Sequence, residues 1–441
     1  MRALVLALAL LAFAASAADE ELKERLDRLE RELAEEREKG ARREERIAEL
    51  ERALQQTTEQ LARSHDRREL EREIDDYLRA RESSLGTAPQ PPSRLSIGAV
   101  IVASYRFADL GSGAPRTNSF QVEERYLRFV YRFSDRVTAR YYTDGSLAEI
   151  EYRHDDRLQV NGGVVVVPFG QFNARSFPDT FDTLSRPLLY LGDEDVFAQP
   201  ANNPRAVFRS LYSDTGVVVS GSFWRESDQL AYAFAVTNGL TGTNELGQGA
   251  GFSDNNDSKQ IAARLAYANA SWFERARVGV GASFLNGKYD TGDALSYRMY
   301  GADVLVVLSG LFGGEGSVTI RGEYVFAPRE TQHGTVPSPT TFVRDANRVQ
   351  GAYLIVEARV DPRWMVYVAA DWLSQRQPLL VNGLFDPANP GDETTRVLRG
   401  AVGVVRRFGI GILWKLEYTY WDFDAGAPDA HRIATQIVVP F

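Results

Sequence analysis

The spacing of apolar residues along the chain changes period once, near its first quarter. Leu22, Leu26, Leu29 and Leu33 recur four and three residues apart, and Ile47, Leu50, Leu54 and Leu61 resume that register after Glu36, Gly40 and Arg43 weaken the seam. Leu70, Ile74 and Leu78 follow in a shifted phase. A seam of this kind, with charged flanks, lets helices pack knobs into holes, so an α-helical coiled coil is expected over 19–82. "SSLGTAPQPPS", Ser83 to Ser93, ends it as a Pro-rich linker.

After Arg94 the period falls to two. Alternation predicts about sixteen strands: 95–106, 120–133, 136–144, 147–154, 157–168, 216–224, 229–237, 259–268, 273–285, 296–309, 315–326, 347–360, 363–374, 394–408, 411–422 and 431–441. Most are near the length a tilted strand needs to cross a bilayer core.

The connections alternate as well. Short links such as "SD", "DD", "RESD" and "DP" follow the even-numbered strands, while most odd-numbered strands are followed by long polar stretches such as "PRETQHGTVPSPTTFVRDAN" and "QRQPLLVNGLFDPANPGDE". Asp155 and Asp156 read as a hairpin turn rather than as paired catalytic carboxylates. Short turns at one rim and long loops at the other are the habit of outer-membrane barrels, with the short turns in the periplasm. An even number of strands brings both ends of the 94–441 domain to the short-turn side.

Charge obeys the same alternation. Lys415 and Glu417 share one parity against Trp414, Leu416 and Tyr418; Arg321 and Glu323 oppose Ile320 and Tyr324; Glu149, Glu151 and Arg153 oppose Ile150 and Tyr152; Glu357 and Arg359 oppose Leu354 and Val356. An Arg or Lys facing mid-membrane lipid costs about 2–4 kcal/mol, so one parity must face the lumen. Arg396 and Arg399 break the rule, having opposite parity, as do Arg406 and Arg407, which suit the periplasmic interface. The lumen is expected to be polar and wet rather than packed.

The first residues set the address. Arg2, an apolar run from Ala3 to Ala15 and the small-residue end Ala15-Ser16-Ala17 form a secretory signal peptide, 1–18, too short to span a bilayer as an anchor. The 441 residues carry a net charge of -9 and no cysteine, which excludes a disulfide framework and a thiol nucleophile and offers no basic footprint for nucleic acid. His65, His154, His333 and His431 are scattered, so neither metal site, cofactor nor enzymatic triad is expected. "SDNNDSK", Ser253 to Lys259, has Lys259 where a calcium loop needs glycine and reads as a solvated loop.

One connection stands apart. "FGQFNARSFPDTFDTLSRPLLYLGDEDVFAQPANNPRAVFRSLYSDT", between the fifth and sixth strands, is rich in Phe and Leu and carries Arg175, Arg186, Arg205 and Arg209. A loop so long is functional more often than not.

The stretches "VVVVPFGQFN", "TLSRPLLYL", "DTGVVVSGSF" and "LAYAFAVTNGL" resemble the phosphate-selective porin O and P superfamily, and the coiled coil resembles that of related trimeric porins with a periplasmic helical stalk. The resemblance covers Arg94 to Phe441 as a pattern, with its sharper motifs at about 160 to 240. It implies an all-β transmembrane barrel, a third loop folded inward between strands 5 and 6, a homotrimer, and passive diffusion of small hydrophilic solutes across a Gram-negative outer membrane. The C-terminal Phe441 resembles the signal that the barrel-assembly machinery reads. Phosphate selectivity does not carry over, because from Arg94 onward 34 basic residues face 38 acidic ones.

An arginine ring in a narrow constriction would still favour anions or small acids such as phosphate and carboxylates. Candidates for the constriction are Arg175, Arg186, Arg205, Arg209, Asp179 and Asp182; candidates for the lumen wall are Arg128, Arg132, Arg140, Arg321, Glu323, Lys415 and Glu417. The alternative is a structural envelope protein, its barrel plugged, that tethers or spaces the outer membrane through the coil.

Overall fold

The computed structural model describes residues 94–440, except 110–115, 178, 191–206, 209–210, 226, 241–253, 255–256, 274, 313–315, 336–341, 382–383, 389–390, 409–410 and 425–428. The signal peptide, coiled coil and linker lie outside the described residues, as do Arg205, Arg209 and Phe441.

The described chain runs through β1 (Leu95–Asp109), β2 (Thr117–Ser134), β3 (Val137–Tyr142), β4 (Ala148–Asp155), β5 (Leu158–Val166), β6 (Ser213–Arg225), β7 (Asp228–Thr237), β8 (Gln260–Phe273) and β9 (Ala276–Lys288). It continues through β10 (Ser296–Leu311), β11 (Gly316–Gly334), β12 (Phe342–Arg359), β13 (Trp364–Pro378), the two-residue strands β14 (Leu380–Val381) and β15 (Leu384–Phe385), then β16 (Asp392–Arg407), β17 (Leu413–Phe423) and β18 (Ala430–Pro440). Without the small β14–β15 pair, the strands form one closed antiparallel barrel in which each pairs with its sequence neighbour and β1 returns to β18. The seam runs from Val100 opposite Pro440 to Asp109 opposite His431. Closure leaves no edge, so the backbone of every barrel strand has a partner on both sides.

Each of the sixteen expected strands has its counterpart. The largest difference is at β11 and β12, whose ladder continues to Gly334 opposite Phe342. Pro328 obscured this in the sequence; it sits opposite Arg348, inside a ladder that extends past it. Asp155 and Asp361 close two of the short turns, each accepting two backbone N–H bonds through Oδ1, from Arg157 and Leu158 and from Arg363 and Trp364.

The side-chain alternation follows the expected parity. Lys415 and Glu417 point inward and are buried, while Leu416 and Tyr418 face out. Glu149 and Glu151 oppose Ile150 and Tyr152 in the same way. Outside, aliphatic residues such as Ile97, Val217, Leu265, Val280, Leu354 and Val402 are exposed. Exposure of so many large apolar side chains on one continuous face suits hydrocarbon and not water.

The lumen departs from expectation. It is not simply wet: Phe169, Phe172, Phe181, Leu188, Leu189, Tyr190 and Phe208 of the β5–β6 connection join Tyr297, Met299, Val325, Tyr353 and Leu373 of the wall in one buried cluster. Inward apolar residues on the wall, sparse in any single strand, converge from many strands where the loop arrives.

Candidate functional site: the loop across the lumen

The loop leaves β5 and returns to β6 as two legs clipped together by one side chain. Asn173 donates through Nδ2 to the carbonyls of Val167 (2.8 Å) and Tyr212 (3.0 Å), and its Oδ1 accepts from the Tyr212 N–H at 2.7 Å. Before it, Gly170 takes φ +64°, a conformation that glycine adopts without strain. A Cβ at Gly170 would stand 1.9 Å from Glu323 Oε1 and 2.4 Å from the Tyr190 hydroxyl. Glycine thus permits the loop to press against β11.

Glu323 is the anchor at that wall. Its buried carboxylate accepts from the Tyr190 hydroxyl (2.6 Å), the Tyr353 hydroxyl (3.0 Å) and the backbone N–H groups of Gln171 and Phe172 (3.3 Å each). Gln171 also donates to the carbonyls of Val304 and Gly322. The expected lumen-wall role for Glu323 becomes that of a loop acceptor.

Farther along, the loop meets the opposite wall. Asp179 binds Arg128 through both oxygens (2.6 and 2.7 Å), and the guanidinium lies 5.1, 5.2 and 5.6 Å from the ring centres of Tyr126, Tyr142 and Phe177. Arg128 is buried by this docking and does not line an open wall. Arg186 pairs with Glu124, donates to the Ser176 carbonyl and stacks on Phe181. Arg175 closes the 3-10 turn Asn173–Arg175 and is half-buried.

A third set of anchors lies on β13 and β16–β18. Lys415 Nζ, fully buried, donates to the carbonyls of Phe181 (2.8 Å) and Thr183 (3.0 Å). Ser185 binds Glu417, which also accepts from Tyr367 at 2.7 Å and faces Arg432 at 3.4 Å. The Leu184 N–H donates to the Tyr367 hydroxyl (2.9 Å), and the Leu188 N–H to Asp371 (3.1 Å), which pairs with Arg399 at 2.7 Å. Hydrogen bonds to charged groups contribute about 1.5–3 kcal/mol each, so many spread around the wall hold the loop firmly across the lumen.

Asp182 collects the densest positive field. It pairs with Arg407 and lies 3.8 Å from Arg359, whose side chains are 40% and 38% exposed. Burial alone would raise its carboxyl, but Arg407, Arg359, Lys415 and Arg175 outweigh burial and hold it well below the usual carboxylate range. Cations thus outnumber the carboxylate they surround.

Elsewhere on the wall, Arg140 bridges Glu149 (2.9 Å) and Glu151 (2.6 Å), and Arg321 faces Glu357 at 3.2 Å. Arg132 is exposed near the short-turn rim of β2, away from the loop. Glu124, Asp371, Arg399, Arg407 and Arg432 were not among the sequence candidates. Their parity marks each strand member as inward, yet nothing local says which of them the loop reaches.

Neither family models nor curated proteins match the chain. Among solved structures it is similar to an anion-selective porin from Comamonas acidovorans, with 9% identity over 79% of this chain and 99% of that one at a TM-score of 0.48. It is also similar to OmpF of Salmonella typhi in complex with daunomycin, with 12% identity, 79% and 97% coverage and a TM-score of 0.47. The outer membrane channel DcaP of Acinetobacter baumannii gives 10% identity, 79% and 97% coverage and 0.45. The functional reading therefore rests on the geometry of this chain.

Proposed function

We propose that this protein is an outer-membrane porin: a homotrimer of barrels, each a passage for small hydrophilic solutes, narrowed by the inward-folded loop and leaning toward anions or small acids. The observation that carries the reading is a closed sheet, apolar outside and charged inside, with a loop anchored across its lumen. A transport role accounts for a polar interior, which a purely structural barrel has no need to maintain. In this reading the signal peptide 1–18 directs export, Phe441 serves barrel assembly, and the 19–82 coiled coil hangs in the periplasm beside the short turns.

Ion preference would come from the surplus of cations around Asp182. Arg128, Arg140 and Arg186 pair with carboxylates and are largely buried, whereas Arg359 and Arg407 converge on Asp182 and remain partly exposed. In a narrow, low-dielectric passage such a surplus favours anions whatever the total charge. Arg175 and Arg186 are the second candidate pair.

Planar-bilayer recording tests the proposal. Purified protein should conduct, and in a salt gradient the reversal potential should show anion preference. Replacing Arg359 and Arg407 together by Gln should shift it toward cations, and replacing Arg175 and Arg186 should shift it in the same direction. Absence of ionic current would overturn the porin reading in favour of a plugged barrel that spaces the envelope, the reading that the buried loop cluster favours.

A further inference from the structure

Arg396 broke the charge parity of its strand, and the barrel shows where it goes. On the outward face of β12, β13 and β16 the ladder reads upward from the short-turn rim in rows. Trp364 stands beside Arg406, whose guanidinium lies 5.0 Å from the ring centres of both Trp364 and Phe408. Above come Val356, Val368 and Val402, then Leu354, Ala370 and Gly400, then Ala352, Trp372 and Leu398. Eight residues separate Trp364 from Trp372, about 26 Å along the strand at about 3.3 Å per residue and about 20 Å of height once the strand tilts by about 40°, most of an apolar belt between two aromatic girdles.

The next two rows change character at once. Gln350, Ser374 and Arg396 form one; Arg348, Arg376 and Thr394 form the other. Together with Phe326 and Trp372 they line a surface cleft of about 220 Å³ on the long-loop side of the belt. Arg348 and Arg376 stand directly opposite each other in the ladder, where like charges are destabilising. Carboxylates border the cleft without lining it: Asp392 pairs with Arg376, Asp424 lies 4.0 Å from Arg396, and Asp422 is exposed on β17. Both pairs are half exposed, and exposed pairs yield readily to a stronger anion. Arg348 has no ion pair among the described residues.

We propose that this cleft binds the phosphorylated headgroup of a lipid in the outward-facing leaflet. The phosphate would be held by Arg348, Arg376 and Arg396, and the acyl chains would lie on the aliphatic rows directly below. Guanidinium groups bind phosphate through paired, charge-assisted hydrogen bonds, and Trp372 sits at the level where indole rings prefer the membrane interface. Continuity between an arginine cleft and an apolar strip suits one amphiphile better than a free anion. The inference rests on the outer-membrane reading given above.

The test uses the full chain in detergent micelles supplied with diphosphorylated lipid A, with retained lipid measured by native mass spectrometry. Wild type should retain the lipid, and R348Q/R396Q should retain it about tenfold less, as expected for the loss of charged contacts. R348K/R396K should recover part of the loss, and dephosphorylated lipid A should bind wild type no better than it binds the Gln variant. All variants should keep heat-modifiable gel mobility and wild-type conductance, so loss of fold or of channel activity is distinguished from loss of the lipid site. Equal retention by wild type and R348Q/R396Q overturns the proposal. Displacement of the lipid by millimolar inorganic phosphate overturns it in favour of a free-anion site. A change in oligomer size without a change in lipid retention overturns it in favour of contact with a second copy of the chain.

Discussion

Arg396 and Arg399 lie three residues apart on β16 and live in different media. Arg399 points into the barrel, where its side chain and that of Asp371 are 2% and 1% exposed and joined at 2.7 Å. Arg396 points outward, 61% exposed, with Asp424 only at 4.0 Å. One residue type on one strand thus serves two purposes, and the face decides which. Inside, a charge must have a partner because water is displaced by the loop; outside, above the apolar belt, water and headgroups suffice.

The comparison is broken most directly at the inward member. R399A should leave Asp371 buried and unpaired and destabilise the barrel by about 3–5 kcal/mol in urea unfolding from detergent micelles. Replacing both partners by Leu should cost much less. A loss below about 1 kcal/mol for R399A would mean that water reaches Asp371 and that the two faces differ little.

Loop docking is the next point of attack. G170V demands φ +64° of a branched residue and sets its Cβ against Glu323 and Tyr190. Strain of about 1–3 kcal/mol should lift the loop from β11 and raise single-channel conductance. Unchanged conductance would show that the passage does not run beneath this contact.

Proton titration sharpens the comparison further. Because the folded-state carboxyl of Asp182 is depressed, its contribution to docking is fully present above its unfolded value, about 4, and is lost only as pH falls through the lower folded value. The part of the channel current that depends on Asp182 should therefore hold steady from neutrality down to about pH 4, changing only in stronger acid. In D182N any change attributable to this group should disappear. A current step in wild type near pH 6 that D182N abolishes would contradict the assignment.

The smallest effect belongs to the outward arginine. R396Q should change stability by no more than about 0.5 kcal/mol, measured as for R399A. A larger loss would mean that the Arg396–Asp424 contact is structural and that exposure misstates its role.

Much of the barrel was legible because a strand in a two-sided wall writes its environment into every second residue. Lys415 and Glu417 against Leu416 and Tyr418 needed only parity to be placed inward. The extension of β11 past Pro328 was not legible, since a proline there signals an end unless its partner strand is known. The wetness of the lumen was misjudged for a related reason: the apolar partners of Phe169, Phe172 and Tyr190 are dispersed over many strands, one to three to each.

By itself the sequence determined the period of the fold, the positions of its strands, which parity carries charge, and the presence of one long apolar connection among polar ones. Those are local properties, repeated every two residues and readable without knowing the neighbours. Only the tertiary structure decided that Arg186 meets Glu124, 62 residues away, and that Lys415 reaches the Phe181 carbonyl across 234. Such pairings arise when a closed wall brings distant strands around one loop, and burial then charges a free-energy penalty for any charge left alone.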